Sequence, residues 1–276
     1  MRRNPLHSLA LYVTVIAVCL IVMFPIYWMF TSSLTPTNQL KQFPPVFWPV
    51  EPNWMVYWES ITERPLLRWL TNSSLAAMGA VAISLSVSVL AAYSLSRFRL
   101  RGGHELGLFI LVSKMLPATL LVIPLFVIFR QIGLIGSLWS IILAHATLIV
   151  PFSTWMLKGY FDTIPTELEQ AAMIDGCTPL GALWRVVLPA AAPGIAATAL
   201  YGVVLSWGDY AFARTFLTSA QNAWTANVGI ATLKGEHFTA WNEIMAAAML
   251  TAIPIIIIYL FLERYLVGGL TSGAVK

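Results

Sequence analysis

The sequence predicts an all-α membrane protein with six transmembrane helices, and three observations support this fold class. Hydrophobic residues make up 58% of the 276 residues and charged residues only 10%. The mean hydropathy is +0.77, whereas a soluble domain is typically about 25% charged. The apolar residues fall into six runs, each close to the length of about 20 residues that crosses a hydrocarbon core. This composition excludes an ordinary soluble fold.

The six apolar runs are predicted to be the spans, in chain order at residues 9–30, 75–95, 106–129, 138–157, 193–217 and 244–262. None of them alternates like a barrel strand, whereas a helix satisfies every backbone N–H and C=O within its own segment. The first run is longer than the apolar part of a signal peptide, so we expect it to be retained. Residues 1–276 then form a single transmembrane domain, with 158–192 as its longest cytoplasmic loop.

The basic residues predict that both termini face the cytoplasm. With the N-terminus inside, nine Lys and Arg residues fall in cytoplasmic segments and five in outer segments. The nine are Arg2, Arg3, Arg97, Arg99, Arg101, Lys158, Arg185, Arg264 and Lys276, and the five are Lys41, Arg64, Arg68, Arg130 and Lys234. This asymmetry follows the positive-inside rule. Membrane topology therefore accounts for the net charge of +4, and we expect no nucleic-acid partner.

The outer segment between the first two spans, residues 31–71, is rich in proline and tryptophan. Tryptophan at such a position is typical of an interfacial aromatic belt. Exposed aromatic side chains also anchor protein interfaces, so this segment is equally consistent with the binding of an extracytoplasmic partner.

The cytoplasmic loop contains the most specific local pattern, and it predicts two short helices. Thr166 and Glu169 have the spacing of a capping box, so the first helix is predicted to begin there. Gly176 is predicted to end it in a left-handed conformation. Thr178 before a proline predicts the start of the second helix, and Pro189 is predicted to end that helix near Leu188.

Each of these two helices has an apolar face. The face of the second helix consists of Leu180, Leu183, Trp184 and Val187, and the narrower face of the first consists of Leu168, Ala171 and Ala172. Such faces need a surface to bury them. The periodicity alone leaves two interpretations open, contact with the inner ends of the chain's own spans and contact with a partner protein.

This loop resembles the cytoplasmic signature of the permease subunits of binding-protein-dependent ABC importers. That signature is Glu-Ala-Ala, three further residues, Gly, and later Ile-x-Leu-Pro. The matching residues here are Gln170-Ala171-Ala172, Gly176 and Val186-Val187-Leu188-Pro189. The chain is similar to the second, six-span permease of maltose-type carbohydrate importers, with further matches at 91–98, 151–153, 253–254 and 269–276.

The resemblance implies a type I ABC importer permease fold in the bacterial cytoplasmic (inner) membrane, surrounded by lipid. It implies a second homologous permease, an ATPase homodimer on the cytoplasmic side that binds ATP and magnesium, and an extracytoplasmic solute-binding protein that delivers a carbohydrate. The residues implied to couple to the ATPase are Glu167, Glu169, Gln170, Ala171, Ala172, Asp175, Gly176, Leu183, Trp184, Leu188 and Pro189. Gln170 departs from the family's Glu and lacks the charge for an ion pair with the ATPase.

No catalytic constellation is present in the sequence. A phosphate-binding loop with Gly-Lys-Ser/Thr is missing, and no histidine has metal-ligand spacing to another. We therefore expect a non-catalytic subunit without a cofactor or metal of its own, and ATP hydrolysis on a separate polypeptide.

Polar residues inside the predicted spans are candidates for a substrate path, because burying them in a membrane is costly. They are Lys114, His145, Trp207, Asp209, Tyr210 and Arg214. A lone histidine among apolar residues is more often a packing residue than a ligand contact, and snorkelling to the membrane surface is the alternative explanation for Lys114 and Arg214. A path-facing Arg214, with Lys114 deeper in the path, would instead favour an anionic carbohydrate.

Two other function classes remain as alternatives. A self-sufficient secondary transporter would need a mid-membrane carboxylate for ion coupling, and Asp209 is the candidate. An intramembrane enzyme is disfavoured by the missing catalytic constellation.

Overall fold

The computed structural model describes residues 5–98, 101–235 and 239–272. Within these residues the chain is helical, and its only β-type pairing is an isolated bridge between Lys234 and Thr239. The α-helices are α1 (Pro5–Leu34), α2 (Thr37–Leu40), α3 (Met55–Thr62), α4 (Leu66–Arg97), α5 (Gly103–Ser113), α6 (Val122–Gln131), α7 (Leu138–Asp162), α8 (Thr166–Ile174), α9 (Pro179–Ala182), α10 (Leu188–Ala190), α11 (Ala192–Gly208), α12 (Ala211–Phe216), α13 (Ala226–Ala231) and α14 (Trp241–Ser272). The predicted all-α class is confirmed for this part of the chain.

Four helices, α1, α4, α7 and α14, are each long and apolar enough to cross a membrane. They contain the predicted first, second, fourth and sixth spans and extend beyond most of the predicted bounds. The helix α4, for example, begins at Leu66 rather than at residue 75 and is 32 residues long.

The predicted third and fifth spans are not single helices. The segments Glu105–Ser113 and Ala118–Gln131 meet at 90°, where Pro117 precedes a 3-10 turn at Ala118–Leu121. The predicted fifth span consists of α11 and α12, separated at Asp209 and Tyr210. Both breaks lie beside residues that commonly interrupt membrane helices, Pro117 in the third span and Gly208 in the fifth.

The helix α11 also turns sharply away from the segment before it. Pro179–Ala190 and Ala192–Gly208 meet at 79°. The described chain therefore has four single-helix candidates for a membrane crossing, or up to six when each bent pair counts as one.

The chain forms two compact units. The first contains residues up to 67 together with 229–252. Within it, the Arg64 guanidinium lies 2.9 Å from the Glu243 carboxylate, and the Thr37 hydroxyl donates to the Asn242 side-chain oxygen over 2.5 Å. The first unit also contains the proline- and tryptophan-rich segment 31–67, in which Trp58 is 63% exposed.

The second unit contains residues 68–228 and those from 253 onwards, and α7 forms its centre. Small residues let α11 approach its neighbours closely. A Cβ atom on Gly194 would lie 2.4 Å from the Tyr160 ring, and one on Gly202 would lie 2.8 Å from Val81.

Some residues used for the sequence predictions lie outside the described residues. They are Arg2, Arg3, Arg99, His237 and the tail from Gly273 to Lys276. The orientation of the termini therefore stays a prediction.

Candidate functional site

The first predicted coupling helix forms as α8 and begins at Thr166 as predicted, but its cap differs from the prediction. Pro165 occupies the N-cap position and no side chain caps the helix. The predicted capping box of Thr166 and Glu169 is wrong, because the Glu169 carboxylate is bound by Tyr93 and Arg97 of α4 instead. A tertiary ion pair has replaced the local cap.

The end of α8 is a Schellman motif around Gly176, as the sequence predicts. Gly176 has a φ of +92°. The Cys177 amide donates to the Ala172 carbonyl over 2.9 Å, and the Gly176 amide donates to the Met173 carbonyl over 3.1 Å. These bonds satisfy carbonyls that the helix end would otherwise leave unpaired.

The second coupling segment begins as predicted and ends differently. The Thr178 hydroxyl accepts a hydrogen bond from the Gly181 amide over 3.1 Å, and Pro179 lies in the first turn of α9. A π-helical turn, Leu183–Val187, follows, and Pro189 lies in the first turn of α10. Pro189 therefore lies within a continuous helical segment, Pro179–Ala190, instead of following its end.

The predicted single apolar face of this second segment is split in two. Leu183 and Val187 are fully buried, whereas Leu180 is 59% exposed and Trp184 is 66% exposed. The π-helical turn is wider than an α-helical turn, so it changes the register between the two pairs. One pair packs against the chain's own helices, and the other remains on the surface.

The residues implied to couple to an ATPase are therefore divided by burial. Glu169 and Leu183 are buried, and Ala172 and Leu188 are half-buried. The exposed ones are Glu167, Gln170, Ala171, Asp175, Gly176, Trp184 and Pro189. Two apolar side chains of α8 join this exposed set, Ile174 at 88% and Leu168 at 49% exposure.

An ion pair attaches α8 to the last turns of α4. The Arg97 Nε–H donates to Glu169 Oε1, and the Tyr93 hydroxyl donates to Glu169 Oε2 over 2.9 Å. Arg97 also donates to the Ile164 carbonyl over 3.1 Å. The side chains of Arg97 and Glu169 are only 9% and 6% exposed, so this pair is shielded from water.

A second polar site lies at the break between α11 and α12. Asp209 caps α12, because its carboxylate accepts the Phe212 amide over 3.3 Å and the Ala213 amide over 3.0 Å. The Asn227 side-chain amide donates to the carbonyls of Trp207 and Asp209 over 2.8 and 3.1 Å. The backbone groups that the break exposes are thus satisfied by neighbouring side chains.

His145 connects α7 to this break. Its ring is buried, with Nδ1 2.7 Å from the Ser206 hydroxyl oxygen and Nε2 3.2 Å from Asp209 Oδ2. The structure therefore brings together three of the predicted path residues. His145 contacts Asp209, and the Trp207 carbonyl shares the Asn227 side-chain amide with the Asp209 carbonyl. Tyr210, within the break, is 46% exposed.

The two predicted path cations lie in different settings. Lys114 follows α5, and its ammonium donates to the Leu148 carbonyl over 2.8 Å and lies 5.4 Å from the centre of the Tyr201 ring. No described carboxylate lies within ion-pair distance of Lys114. Arg214 lies on α12 and is exposed.

Sequence reasoning missed four residues of these sites, Tyr93, Arg97, Ser206 and Asn227. Tyr93 and Arg97 are four residues apart, which places them on one helix face, and this spacing was the available signal. Nothing local indicates that Ser206 or Asn227 has a distant partner. No group of three or more metal-ligating side chains occurs in the described part of the chain.

Comparison with known proteins identifies the family. Residues 84–272 match the family described as binding-protein-dependent transport system inner membrane component. The sulfoquinovosyl glycerol transport system permease protein SmoH of Agrobacterium fabrum is 35% identical over 92% of this chain and 89% of its own length. The trehalose/maltose transport system permease protein MalG of Thermococcus litoralis is 31% identical over 100% of this chain and 99% of its own length.

A solved structure has the same fold. A chain of a bacterial ABC transporter involved in the import of the acidic polysaccharide alginate superposes with a TM-score of 0.80, over 96% of this chain and 98% of the other, at 24% identity. Because the family model covers most of the chain and the relatives match along nearly all of it, the protein belongs to the binding-protein-dependent transport system inner membrane components, multi-pass proteins whose relatives here are permeases of sugar ABC transporters.

Proposed function

We propose that this chain is the transmembrane permease subunit of an ATP-driven carbohydrate importer. It forms half of an alternating-access path, and a second homologous permease forms the other half. An ATPase homodimer binds the α8–α10 segment on the cytoplasmic side and holds the ATP and magnesium. A solute-binding protein delivers the carbohydrate at the outer side.

One observation carries this proposal, the exposed surface of the α8–α10 segment. Ile174, Leu180 and Trp184 are 88%, 59% and 66% exposed although they are large apolar residues on the short helical segments that follow α7. The same segment is fixed from within by Leu183, Val187 and Glu169, which are buried. An exposed apolar surface on a fixed support is typical of a protein interface. We name Leu168, Ile174, Leu180 and Trp184 the coupling surface.

The test compares two tryptophans of similar exposure. Trp184 is 66% exposed in the coupling surface, and Trp58 is 63% exposed in the outer segment. The chain is co-expressed with the second permease and the candidate ATPase, and the ATPase that copurifies is quantified. We expect Trp184→Ala to reduce ATPase recovery and Trp58→Ala to leave it unchanged. Equal recovery in both variants would place the interface elsewhere.

The proposed substrate class is a carbohydrate. It is supported by the relatives, whose names specify sulfoquinovosyl glycerol and trehalose/maltose. The residues proposed to face the path are Lys114, His145, Trp207, Asp209, Tyr210 and Arg214. Lys114 has no counter-charge among the described residues, and this supports an anionic carbohydrate as the more specific form of the proposal.

The secondary-transporter alternative requires a carboxylate that can exchange an ion during transport. Both carboxylate oxygens of Asp209 already accept backbone amides of α12, and Oδ2 also lies 3.2 Å from His145. A carboxylate with this many fixed partners is better suited to hold the break than to release and rebind an ion. This geometry favours the ATP-driven proposal.

A further inference from the structure

Glu169 and Gln170 are adjacent on α8 and have opposite environments. The carboxylate of Glu169 is buried between α8 and α4, whereas Gln170 is exposed. The helix α8 thus has an outer face, available to a partner, and an inner face bound to a candidate membrane span.

Two side chains of α4 hold the inner face of α8 through three hydrogen bonds. Tyr93 and Arg97 are one turn apart, and they donate to the two different oxygens of the Glu169 carboxylate. Arg97 also donates to the Ile164 carbonyl, just before α8, over 3.1 Å. Since these contacts restrain both the start and the middle of α8, the helix cannot tilt or slide relative to α4 without breaking charge-assisted bonds.

Apolar packing surrounds the ion pair and reaches the second coupling segment. Tyr93 lies in a buried cluster with Phe161, Leu183 and Val187, and its ring centre is 6.5 Å from that of Phe161. The exclusion of water from this cluster strengthens the ion pair, because screening by solvent is weak there. The cluster joins α4, the end of α7 and the π-helical turn into one packed body.

An exposed ion pair within α7 provides a contrast. Lys158 lies 2.6 Å from the Asp162 carboxylate, and the two side chains are 35% and 43% exposed. Asp162 itself is linked to the buried pair, because it accepts a hydrogen bond from Ser96 and Ser96 accepts one from Arg97 over 2.9 Å. Exposed ion pairs contribute little energy, so removing Lys158 while keeping Asp162 is the control for the buried pair.

We propose that Arg97 and Glu169 are positioning residues that transmit the displacement of α8 to the span α4. Tyr93 supports them by fixing the second carboxylate oxygen. This inference rests on the proposed function, since it requires an ATPase on the outer face of α8. It assigns to α4 the first membrane movement of the transport cycle, and it separates the residue that transmits, Glu169, from the neighbouring residue that faces the ATPase, Gln170.

The test uses the complete complex of both permeases, ATPase and solute-binding protein in proteoliposomes. The variants are Tyr93→Phe, Arg97→Lys, Glu169→Gln and the control Lys158→Gln. Three quantities are measured for each: recovery of the ATPase, basal ATP hydrolysis, and the stimulation of hydrolysis by the loaded binding protein. If the substituted residues only stabilise the fold, the variants that assemble correctly should show the parental stimulation of hydrolysis.

We expect Glu169→Gln and Arg97→Lys to assemble with the ATPase but to lose about fivefold or more of the stimulation. Tyr93→Phe should have a smaller effect in the same direction, and Lys158→Gln should match the parent. If Glu169→Gln does not assemble, the two milder variants decide the outcome. Parental stimulation in an assembled Arg97 or Glu169 variant would overturn the inference, whereas a parent complex that binds no ATPase would overturn the proposed function instead.

Discussion

His145 lies 3.2 Å from Asp209, and this contact joins the middle of α7 to the break between α11 and α12. Asp209 caps α12, so its first role in this structure is to hold the break in place. Burying a histidine or an aspartate inside a membrane costs free energy unless the side chain has polar partners. His145 and Asp209 provide such partners for each other at this point.

The first prediction concerns that cap. Asn also caps helices well, whereas Ala removes the acceptor and costs about 1 kcal/mol of stability. We expect Asp209→Ala to lower the thermal unfolding temperature in detergent and Asp209→Asn to lower it less. Transport should persist in Asp209→Asn. Loss of all uptake in a well-folded Asp209→Asn protein would support ion coupling by this carboxylate.

The second prediction concerns Gly176 at the end of α8. Its φ of +92° is unfavourable for any residue with a Cβ, although no atom lies within 4 Å of the position that a Cβ would take. Gly176→Val therefore costs about 1–2 kcal/mol of backbone strain without a steric clash. We expect the variant to reach the membrane and to lose uptake, because the two coupling segments lose their relative orientation.

Gly159 is the control for this substitution. It lies within α7, is exposed, has no neighbouring atom within 4 Å of an added Cβ, and lacks a positive φ. Gly159→Ala should transport at the parental rate. Parental uptake by Gly176→Val would remove the coupling role assigned to this turn.

The third prediction concerns the outer face of α8. Gln170 is exposed, so a charged side chain at this site keeps its hydration. Gln170→Glu restores the carboxylate that is usual in the family and that forms charge-assisted hydrogen bonds. We expect Gln170→Glu to keep or increase ATPase recovery from purified complexes. Ala172→Trp should reduce recovery, because its large side chain would separate the surfaces. Parental recovery in both variants would exclude this face as the contact.

The fourth prediction concerns the charge of the substrate. Lys114→Gln and Arg214→Gln are each assayed for uptake of a uronate-containing oligosaccharide and of its neutral counterpart. If either cation contacts an anionic sugar, its loss should lower uptake of the uronate about tenfold, the effect of losing one charge-assisted bond. Complex assembly and basal ATP hydrolysis should stay unchanged. Equal uptake of both sugars by parent and variants would show that neither cation contacts an anionic substrate.

The fifth prediction tests the packing of α11 independently of transport. A Cβ on Gly194 would lie 2.4 Å from the rigid Tyr160 ring, and overpacking of this kind costs about 1–3 kcal/mol. We expect Gly194→Ala to lower the thermal unfolding temperature clearly. Gly208→Ala, for which a Cβ meets no atom within 4 Å, should unfold close to the parent.

Local sequence rules predicted the elements whose cause is local. The turn at Gly176 and the cap at Thr178 depend only on residues within one helix turn, and both are confirmed. The four single-helix span candidates lie at predicted positions because the apolar composition of a membrane segment extends over its whole length. The breaks in the third and fifth predicted spans were harder to predict, because a proline such as Pro117 is also tolerated within an unbroken membrane helix.

The errors in the sequence prediction come from distant contacts. Glu169 has the spacing of a capping box, but it is bound by Arg97, 72 residues earlier in the chain. A charge-assisted bond in a buried site outcompetes a solvent-exposed cap. The split face of Leu180 and Leu183 likewise depends on a π-helical turn, and a π-helical turn leaves no signal in the hydrophobic periodicity. The assignment of the coupling and path residues stays a prediction.

The most direct test of the central claim is uptake by the reconstituted complex with and without its ATPase. Proteoliposomes containing this chain and the second permease are loaded with ATP and supplied with the solute-binding protein and a labelled carbohydrate substrate. The account predicts that uptake occurs only when the ATPase and hydrolysable ATP are present, and that Trp184→Ala lowers it. Uptake by the permeases alone, driven by an ion gradient, would contradict the account.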